Sequence, residues 1–180
     1  PYSLNKIQVE KGLSLLADST FSPIALRFGT VYGISPRIRF DVVINMLCGL
    51  ALSTNKVTLN SNGAAWRPHL HIEDACESFL CSIELNPNNG KLTVLNVGQD
   101  NDNYKVIDIA KIVHDNVKGS KLTFLDDTLD SDGNELVKDR KIQDGVDTRS
   151  YKVSFDRIQK VMPKFKCKWN VEEGVKQLLA

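Results

Sequence analysis

The chain contains the stretch Pro23-Ile24-Ala25-Leu26-Arg27-Phe28-Gly29-Thr30-Val31-Tyr32-Gly33, which decides its fold class. Its first part, Ile24–Phe28, is a short and mostly apolar run that ends at a glycine. Such a run predicts a strand that is buried on both faces. The pairs Tyr32-Gly33 and Ser35-Pro36 predict a loop that leaves this strand.

The sequence on either side of this strand alternates between helical and extended patterns. Apolar residues at helical spacing predict helices over residues 2–18, 40–53, 74–85, 106–117, 155–162 and 171–179. Short apolar or β-branched runs predict further strands over residues 57–59, 69–72, 92–97 and 122–125. We expect Asp74 to cap the third helix and Asp102 or Asn103 to cap the fourth. The alternation favours an α/β fold with a mainly parallel sheet.

Composition and charge exclude several classes of protein. Hydrophobic residues make up 42% of the 180 residues and charged residues 25%, as in ordinary soluble domains. The formal net charge is only +1, so we expect no nucleic-acid partner. The longest apolar stretch, 42–52, is interrupted by Asn45 and is shorter than the ~20 residues that a membrane helix needs. Residues 126–147 are rich in acids, and we expect an exposed loop there.

The four cysteines, Cys48, Cys76, Cys81 and Cys167, include no C-x-x-C pair. Their scatter argues against a zinc ribbon and a disulfide framework, and we expect small, buried apolar residues in a reducing, cytoplasmic compartment. His69 and His71 share one face of a strand, but no third ligand stands at a telling spacing, so we expect no metal site.

The start of the chain carries a pattern with chemical meaning, Tyr2-Ser3-Leu4-Asn5-Lys6. Residues i and i+4 of a helix lie on one face, so the phenol and the ammonium would point the same way. A fixed cation beside a phenol favours the phenolate, and such a tyrosine can exchange a proton with an alcohol. The spacing alone is a weak signal, because a solvated surface pair would look the same.

Three later segments follow this pair in a fixed order: residues 23–33, then Arg67-Pro68-His69-Leu70-His71-Ile72-Glu73-Asp74-Ala75, then Asp147-Thr148-Arg149-Ser150-Tyr151-Lys152-Val153. Together the four resemble the extended short-chain dehydrogenase/reductase family, in its NAD-dependent epimerase/dehydratase branch that acts on nucleotide sugars. The resemblance covers nearly the whole chain but only about the C-terminal half of such a protein. Because the chain begins at Pro1 and opens directly into a helical pattern, we also expect it to be a fragment or a processed product.

The resemblance implies a role for several residues. Tyr2 would be the catalytic acid/base, and Lys6 would bind the nicotinamide ribose and tune Tyr2. The turn formed by Phe28, Gly29, Thr30 and Val31 would lie beside the nicotinamide of NAD through its backbone. Arg67 and Arg149 would contact the diphosphate of a nucleotide-diphosphate sugar, and two forked guanidiniums suit that task.

Three further positions are weighed from the residues themselves. Asn45 on the apolar second helix is a candidate substrate contact, although an asparagine at such a place more often serves the fold. Arg37 and Arg39 flank the loop after Gly33 and could reach a phosphate, but we expect both to be solvated.

The resemblance also implies a division of the chain. Residues 1–34 and 72–98 would form the C-terminal part of a Rossmann-type, doubly wound NAD-binding domain. Residues 35–71 and 99–180 would form a smaller α/β substrate lobe. The sequence contains no glycine-rich G-x-x-G-x-x-G loop, which in this family grips the cofactor pyrophosphate, so we expect the chain alone to be inactive.

The implied activity is that of an NAD-dependent epimerase or dehydratase working by transient hydride transfer. Two alternatives remain: an NAD(P)H-dependent reductase of the same superfamily, and a non-catalytic dinucleotide-sensing module. We expect a homodimer, or association with the N-terminal half that the chain lacks, because a strand such as Ile24–Phe28 would otherwise present an open edge.

Overall fold

A computed structural model describes residues 2–85, 87, 90–124 and 149–180. The helices are α1 (Tyr2–Leu16), α2 (Val43–Thr54), α3 (Ile72–Glu84), α4 (Val106–Asn116), α5 (Asp156–Val161) and α6 (Val171–Leu179). The strands are β1 (Ile24–Phe28), β2 (Thr30–Tyr32), β3 (Lys56–Leu59), β4 (Trp66–His71), β5 (Thr93–Val97), β6 (Asn103–Lys105) and β7 (Lys121–Phe124). The acidic loop expected at 126–147 lies outside the described residues.

The strands pair mainly in parallel, which confirms the α/β prediction. β1 pairs with β5, β2 with β4, and β3 with β7, each in parallel, whereas β6 runs antiparallel beside β4. Every predicted helix and strand has a counterpart, with ends that differ by a few residues. Sequence reasoning missed β2 and β6, which have three residues each and lack the apolar alternation that identifies a longer strand.

Gly29 separates β1 from β2 and allows the chain to change partners there. β1 is aligned with β5, but immediately after Gly29 the chain pairs with β4, where Thr30 lies opposite His69. A Cβ atom at Gly29 would come within 2.8 Å of the Pro68 carbonyl oxygen. The glycine therefore permits the close backbone approach that places β2 against β4.

Two hydrophobic clusters form the interior. The first joins β2, α2, β3, α4 and α6, and its fully buried residues include Tyr32, Ile44 and Leu47. The second joins β4, α3, β5 and α5 with the segment that follows, and it includes Leu95 and Phe165. The second cluster thus combines residues from both units of the division that the sequence suggested.

The predicted helix caps are wrong. The N-cap of α3 is His71, whose ring accepts a hydrogen bond from the Glu73 amide, while Asp74 lies buried further along. The Asp74 carboxylate accepts instead from the amides of Lys168 and Trp169, at 2.9 and 3.1 Å. The N-cap of α4 is Lys105, which makes no side-chain cap bond. The Asp74 carboxylate connects distant segments, and a local capping rule could not foresee that use.

The first helix forms as predicted, but none of its side chains is buried. Leu4, Leu15 and Leu16 are all exposed. A link to the sheet is the bidentate pair between Glu10 and Arg27 of β1, in which Nε lies 2.7 Å from Oε1. Within the described part of the chain, none of the helices combines the length and the apolar character needed to cross a bilayer.

Candidate functional site

A cleft of about 810 Å³ opens between α1, the strands β1 and β2, and the loop over residues 33–42. Its size falls in the range of ordinary ligand sites, ~300–1,000 Å³. Seven residues singled out from the sequence contribute to its lining: Tyr2, Lys6, Phe28, Gly29, Thr30, Val31 and Asn45. The fold therefore collects residues from positions 2 to 45 of the sequence around one cavity.

Tyr2 and Lys6 lie on the same face of α1, as their spacing predicted. The Lys6 ammonium is 5.4 Å from the centre of the Tyr2 ring, within the range of a cation–π contact. Tyr2 is 75% exposed, so a ligand in the cleft can approach the phenol. The shared face is confirmed, while the chemical role of the pair is a prediction that the geometry permits.

The backbone from Phe28 to Val31 forms the side of the cleft that adjoins the sheet. It includes Gly29, where the chain changes from pairing with β5 to pairing with β4, and the pairing of Thr30 and Val31 with β4 fixes its position. The strand pairing therefore sets where this backbone lies in the cleft lining.

Asn45 borders the cleft, but its amide serves the fold. It is 3% exposed, its Oδ1 accepts from the Gly33 amide at 3.0 Å, and its Nδ2 donates to the Arg39 carbonyl at 2.9 Å. The side chain therefore ties the two ends of the loop over residues 33–39 to α2. Both the oxygen and the nitrogen of the amide are therefore already engaged within the protein.

Several charged residues of the cleft were missed as site residues. Arg27 and Glu10 face the cavity as a pair, and hydrogen bonding to Arg27 holds the Glu10 pKa below its usual value. Arg39 also borders the cleft and forms a two-pronged pair with Asp41, with Nε 2.9 Å from Oδ1. The sequence places Arg27 on a buried strand, and only the three-dimensional arrangement shows that it faces a cavity.

Arg67 and Arg149 lie close to each other but apart from this cleft, whose described lining includes neither. The Arg67 guanidinium donates to the carbonyls of Trp66 and Arg149 and lies 5.4 Å from the ring of Tyr151. Nearby, the ammonium groups of Lys152 and Lys105 lie 3.6 and 5.5 Å from the Trp66 ring. We call the four cations Arg67, Lys105, Arg149 and Lys152 the basic patch.

His69 and His71 share the face of β4 that meets Tyr32, and both rings contact Tyr32 edge-on. His71 is engaged by the Glu73 amide and by Gln177. Neither nitrogen of His69 has a hydrogen-bond partner among the described residues, and burial lowers its pKa to about 4. The part of the chain that the structure describes contains no group of three or more His, Cys, Asp or Glu side chains placed to hold a metal ion.

The parallel sheets and the cleft beside them place the chain among the Rossmann-like α/β proteins. The sequence profile of the NAD dependent epimerase/dehydratase family matches residues 1–98, which is more than half of the chain. The chain belongs to that family. No curated protein matches it in a comparison of sequences.

Solved structures of several enzymes share the fold. ADP-L-glycero-D-manno-heptose-6-epimerase of Helicobacter pylori superposes with a TM-score of 0.72 at 16% identity, over 99% of this chain and 49% of that one. UDP-glucose 4-epimerase of Thermotoga maritima gives 0.65 at 19% identity, over 87% and 44%. MoeE5, solved in complex with UDP-glucose and NAD, gives 0.62 at 22% identity, over 88% and 46%. The chain therefore spans about half the length of the structures it matches.

Proposed function

We propose that this chain supplies the acid–base and substrate-binding part of an NAD-dependent epimerase or dehydratase that acts on a nucleotide-diphosphate sugar. The observation that carries the proposal is the Tyr2–Lys6 pair, which faces the same cleft as the backbone from Phe28 to Val31. The family membership and the activities named for the similar structures support the same class of reaction.

The cleft fits the nicotinamide–ribose end of NAD. The phenol of Tyr2 and the ammonium of Lys6 are donors suited to ribose hydroxyls, and the backbone of Phe28 to Val31 lines the same cleft, where the nicotinamide ring would lie. When bound, NAD would supply a hydride acceptor, which the side chains of this protein do not provide.

Tyr2 and Lys6 would move the proton. Tyr2 as the phenolate takes the proton from a hydroxyl of the sugar while the carbon that bears this hydroxyl loses its hydride, which leaves a ketone. The Lys6 ammonium, 5.4 Å from the centre of the Tyr2 ring, places a positive charge beside the residue that would move the proton. Tyr2 then returns the proton when the ketone is reduced again, directly or after loss of water.

The diphosphate would bind at the basic patch. Arg67 and Arg149 were the predicted diphosphate residues, and Lys105 and Lys152 stand beside them around Trp66. Four cations within one patch favour a group that carries two negative charges. Asn45 is retained as a residue that shapes the cleft through the loop it holds.

We propose further that the 180-residue chain alone is inactive, since its sequence contains no glycine-rich loop to hold the cofactor pyrophosphate. In this view residues 1–34 and 72–98 complete a nucleotide-binding domain, and residues 35–71 and 99–180 form the substrate lobe. Binding of NAD⁺ by the isolated chain in the micromolar range would contradict this proposal.

The exposed apolar side chains of α1 and the edge of β1 that pairs with none of the described strands favour association, with a second copy or with an N-terminal half. A well-behaved 20 kDa monomer in size-exclusion chromatography would count against this association.

The four free cysteines suit a reducing compartment, and we propose the cytoplasm.

The activity is tested with Tyr2→Phe in the protein at its natural length, in the presence of NAD⁺. We expect turnover of a nucleotide sugar to fall by ~10²–10⁴-fold, since general acid–base groups contribute that much, while substrate binding stays within about threefold. Tyr104→Phe is the matched control, because Tyr104 lies on β6 and does not contribute to the described lining of the cleft. Turnover of Tyr2→Phe within tenfold of the unaltered protein would refute the role of Tyr2. Stoichiometric consumption of NADPH would instead identify a reductase.

A further inference from the structure

We infer that Glu10 and Arg27 are positioning residues for the reaction: their ion pair sets where helix α1 lies against β1, and therefore where Tyr2 stands in the cleft. The inference rests on the proposed function, because Tyr2 needs exact placement only if it moves a proton there. It goes beyond that function, because it gives a role in the reaction to two residues that act through Tyr2 and not on the substrate.

Helix α1, which carries Tyr2 and Lys6, has no buried face to hold it in place. None of its side chains is buried, so the hydrophobic core does not anchor it. It has 15 residues, and isolated helices shorter than ~12–15 residues are only marginally stable in water. A polar contact with the sheet therefore matters more for α1 than for a helix with a buried side.

The pair of Glu10 and Arg27 supplies such a contact. Nε of Arg27 donates to Oε1 of Glu10 at 2.7 Å, and Nη2 of Arg27 donates to Oε2. Two parallel charge-assisted hydrogen bonds fix the relative orientation of the two groups as well as their separation. Because Arg27 belongs to β1, which is paired along its length with β5, the sheet holds the partner of Glu10 in place.

Glu10 lies towards the same cavity as the residues that would move the proton. Tyr2, Lys6 and Glu10 follow one another at intervals of four residues, and all three contribute to the lining of the cleft. Arg27 contributes as well, and it immediately precedes the cleft-lining backbone of residues 28–31. The ion pair therefore joins the helix that carries the acid–base residue to the strand that leads into the proposed nicotinamide site.

The distance along the helix makes the position of Tyr2 sensitive to this contact. Tyr2 lies eight positions before Glu10, which is ~12 Å at a rise of ~1.5 Å per residue. A tilt of α1 by ~5° about Glu10 would move Tyr2 by ~1 Å, and a misplacement of that size can lower a reaction rate by ~10²-fold. The pair can therefore matter for the rate even though an exposed ion pair adds little to the stability of the whole protein.

The same contacts argue against a direct role of either residue in the chemistry. Glu10 neutralises the charge of the Arg27 guanidinium, and hydrogen bonding to Arg27 holds the pKa of Glu10 below its usual value. A carboxylate with a lowered pKa is a weak base. A direct contact with substrate would also be lost when the two side chains exchange places, whereas a positioning role survives the exchange.

The experiment compares the protein at its natural length with Glu10→Gln, Arg27→Gln, the double neutral variant of both, and an exchanged variant that combines Glu10→Arg with Arg27→Glu. Glu84→Gln is the matched control, because it breaks an exposed ion pair with Lys164 that lies outside the described lining of the cleft.

Amide hydrogen exchange of α1, read by mass spectrometry, measures how firmly the helix is held and does not depend on activity. Turnover and affinity are measured at saturating NAD⁺. The substrate is the member of a panel of UDP-, ADP- and dTDP-linked hexoses that the unaltered protein converts fastest.

Each single variant should exchange the amides of α1 at least ~10-fold faster, while β1 and β5 keep their rates. Its kcat should fall by ~10–10²-fold, and its affinity for the nucleotide sugar should stay within about threefold. The double neutral variant should lose no more than either single variant, and the exchanged variant should recover to within about fivefold of the unaltered protein. The control should behave as the unaltered protein does, and every urea denaturation midpoint should shift by less than ~0.5 M.

Unchanged exchange of α1 in the single variants, or faster exchange with turnover intact, would overturn the inference and leave the proposed function standing. Additive losses in the double neutral variant would do the same, and they decide the question even if the exchanged variant does not fold. A loss of affinity that accounts for the lower turnover would show that Arg27 binds the substrate, which also contradicts the inference. Conversion of none of the nucleotide sugars by the unaltered protein would overturn the proposed function and the positioning role with it.

Discussion

Replacing Asp102 by Asn and, separately, His69 by Phe should tilt the pH dependence of the free energy of unfolding in opposite directions. Both residues are buried, and both contain polar atoms without a hydrogen-bond partner among the described residues: Oδ1 of Asp102 and the two ring nitrogens of His69. Burial disfavours the charged form of each group.

For Asp102, burial raises the pKa from the usual 3.8 to about 6, with the charges of Asp74 and Glu173 acting in the same direction and a hydrogen bond from Gln99 opposing them. Between these pH values the folded protein keeps a proton that the unfolded chain releases. Stability from this group is therefore fully present below about pH 4 and decreases as the pH rises towards 6. A shift of about two units corresponds to ~3 kcal/mol.

For His69 the sign is reversed. Burial, assisted by the charge of Arg67, lowers its pKa from 6.5 to about 4. Between these pH values the unfolded chain therefore binds a proton that the folded protein does not bind. Stability from His69 is fully present above about pH 6.5 and decreases as the pH falls towards 4. The magnitude is again ~3 kcal/mol, so the two contributions nearly cancel in the unaltered protein.

Urea denaturation of the unaltered protein and of both variants, at intervals between pH 4 and pH 7, measures these slopes. Relative to the unaltered protein, Asp102→Asn should gain ~3 kcal/mol as the pH rises through this window, and His69→Phe should lose a similar amount. Comparison with the unaltered protein removes the contribution of the groups that do not interact with the residue replaced. Curves for either variant that run parallel to that of the unaltered protein would refute the assigned pKa of the residue replaced.

Two further substitutions test the packing and capping of α6. Gly174→Ala would place a Cβ atom 2.7 Å from the Tyr32 hydroxyl, and overpacking of this kind should destabilise the protein by ~1–3 kcal/mol in chemical denaturation. Gly12→Ala is the control, because a Cβ there meets no atom within 4 Å, and it should stabilise α1 by ~0.5–1 kcal/mol. Equal effects of the two substitutions would contradict the close contact between position 174 and Tyr32. Asn170→Ala removes the capping box formed with Glu173 and should cost ~1 kcal/mol, and an unchanged denaturation midpoint would show that the cap is not stabilising.

Local pattern was enough to predict the longer helices and strands and the shared face of Tyr2 and Lys6, because both depend on residues that are close in sequence. The i, i+4 spacing brings the Lys6 ammonium to 5.4 Å from the Tyr2 ring in the structure. The apolar run Ile24–Phe28 forms β1 as its local pattern predicts, whereas its parallel partner, β5, lies far away in the sequence. The strand could be predicted without knowledge of distant contacts, but its partner could not.

Residues whose partners lie far away in sequence could not be predicted in the same way. Asp74 has the local signature of a helix cap, but its carboxylate binds backbone amides more than ninety positions later. Arg37 and Arg39 look equivalent in the sequence, and only the structure distinguishes the one that Asp41 engages. Asn45 has the residue type of a ligand contact, but Gly33 and Arg39 occupy its amide.

The segment that leads into α6 makes contacts with buried polar and aromatic residues next to the cleft. Asp74 fixes the backbone at Trp169, the Trp169 ring stacks on His71 at 4.2 Å, and the Tyr32 hydroxyl donates to the Asn170 carbonyl at 3.0 Å. Tyr32 is the last residue of β2, the strand that carries Thr30 and Val31 into the cleft. Because each of these contacts ends on β2, β4 or the start of α3, the position of the cleft wall depends on the docking of α6. A segment that does not belong to the described lining of the cleft therefore helps to set the geometry in which Tyr2 would meet its substrate.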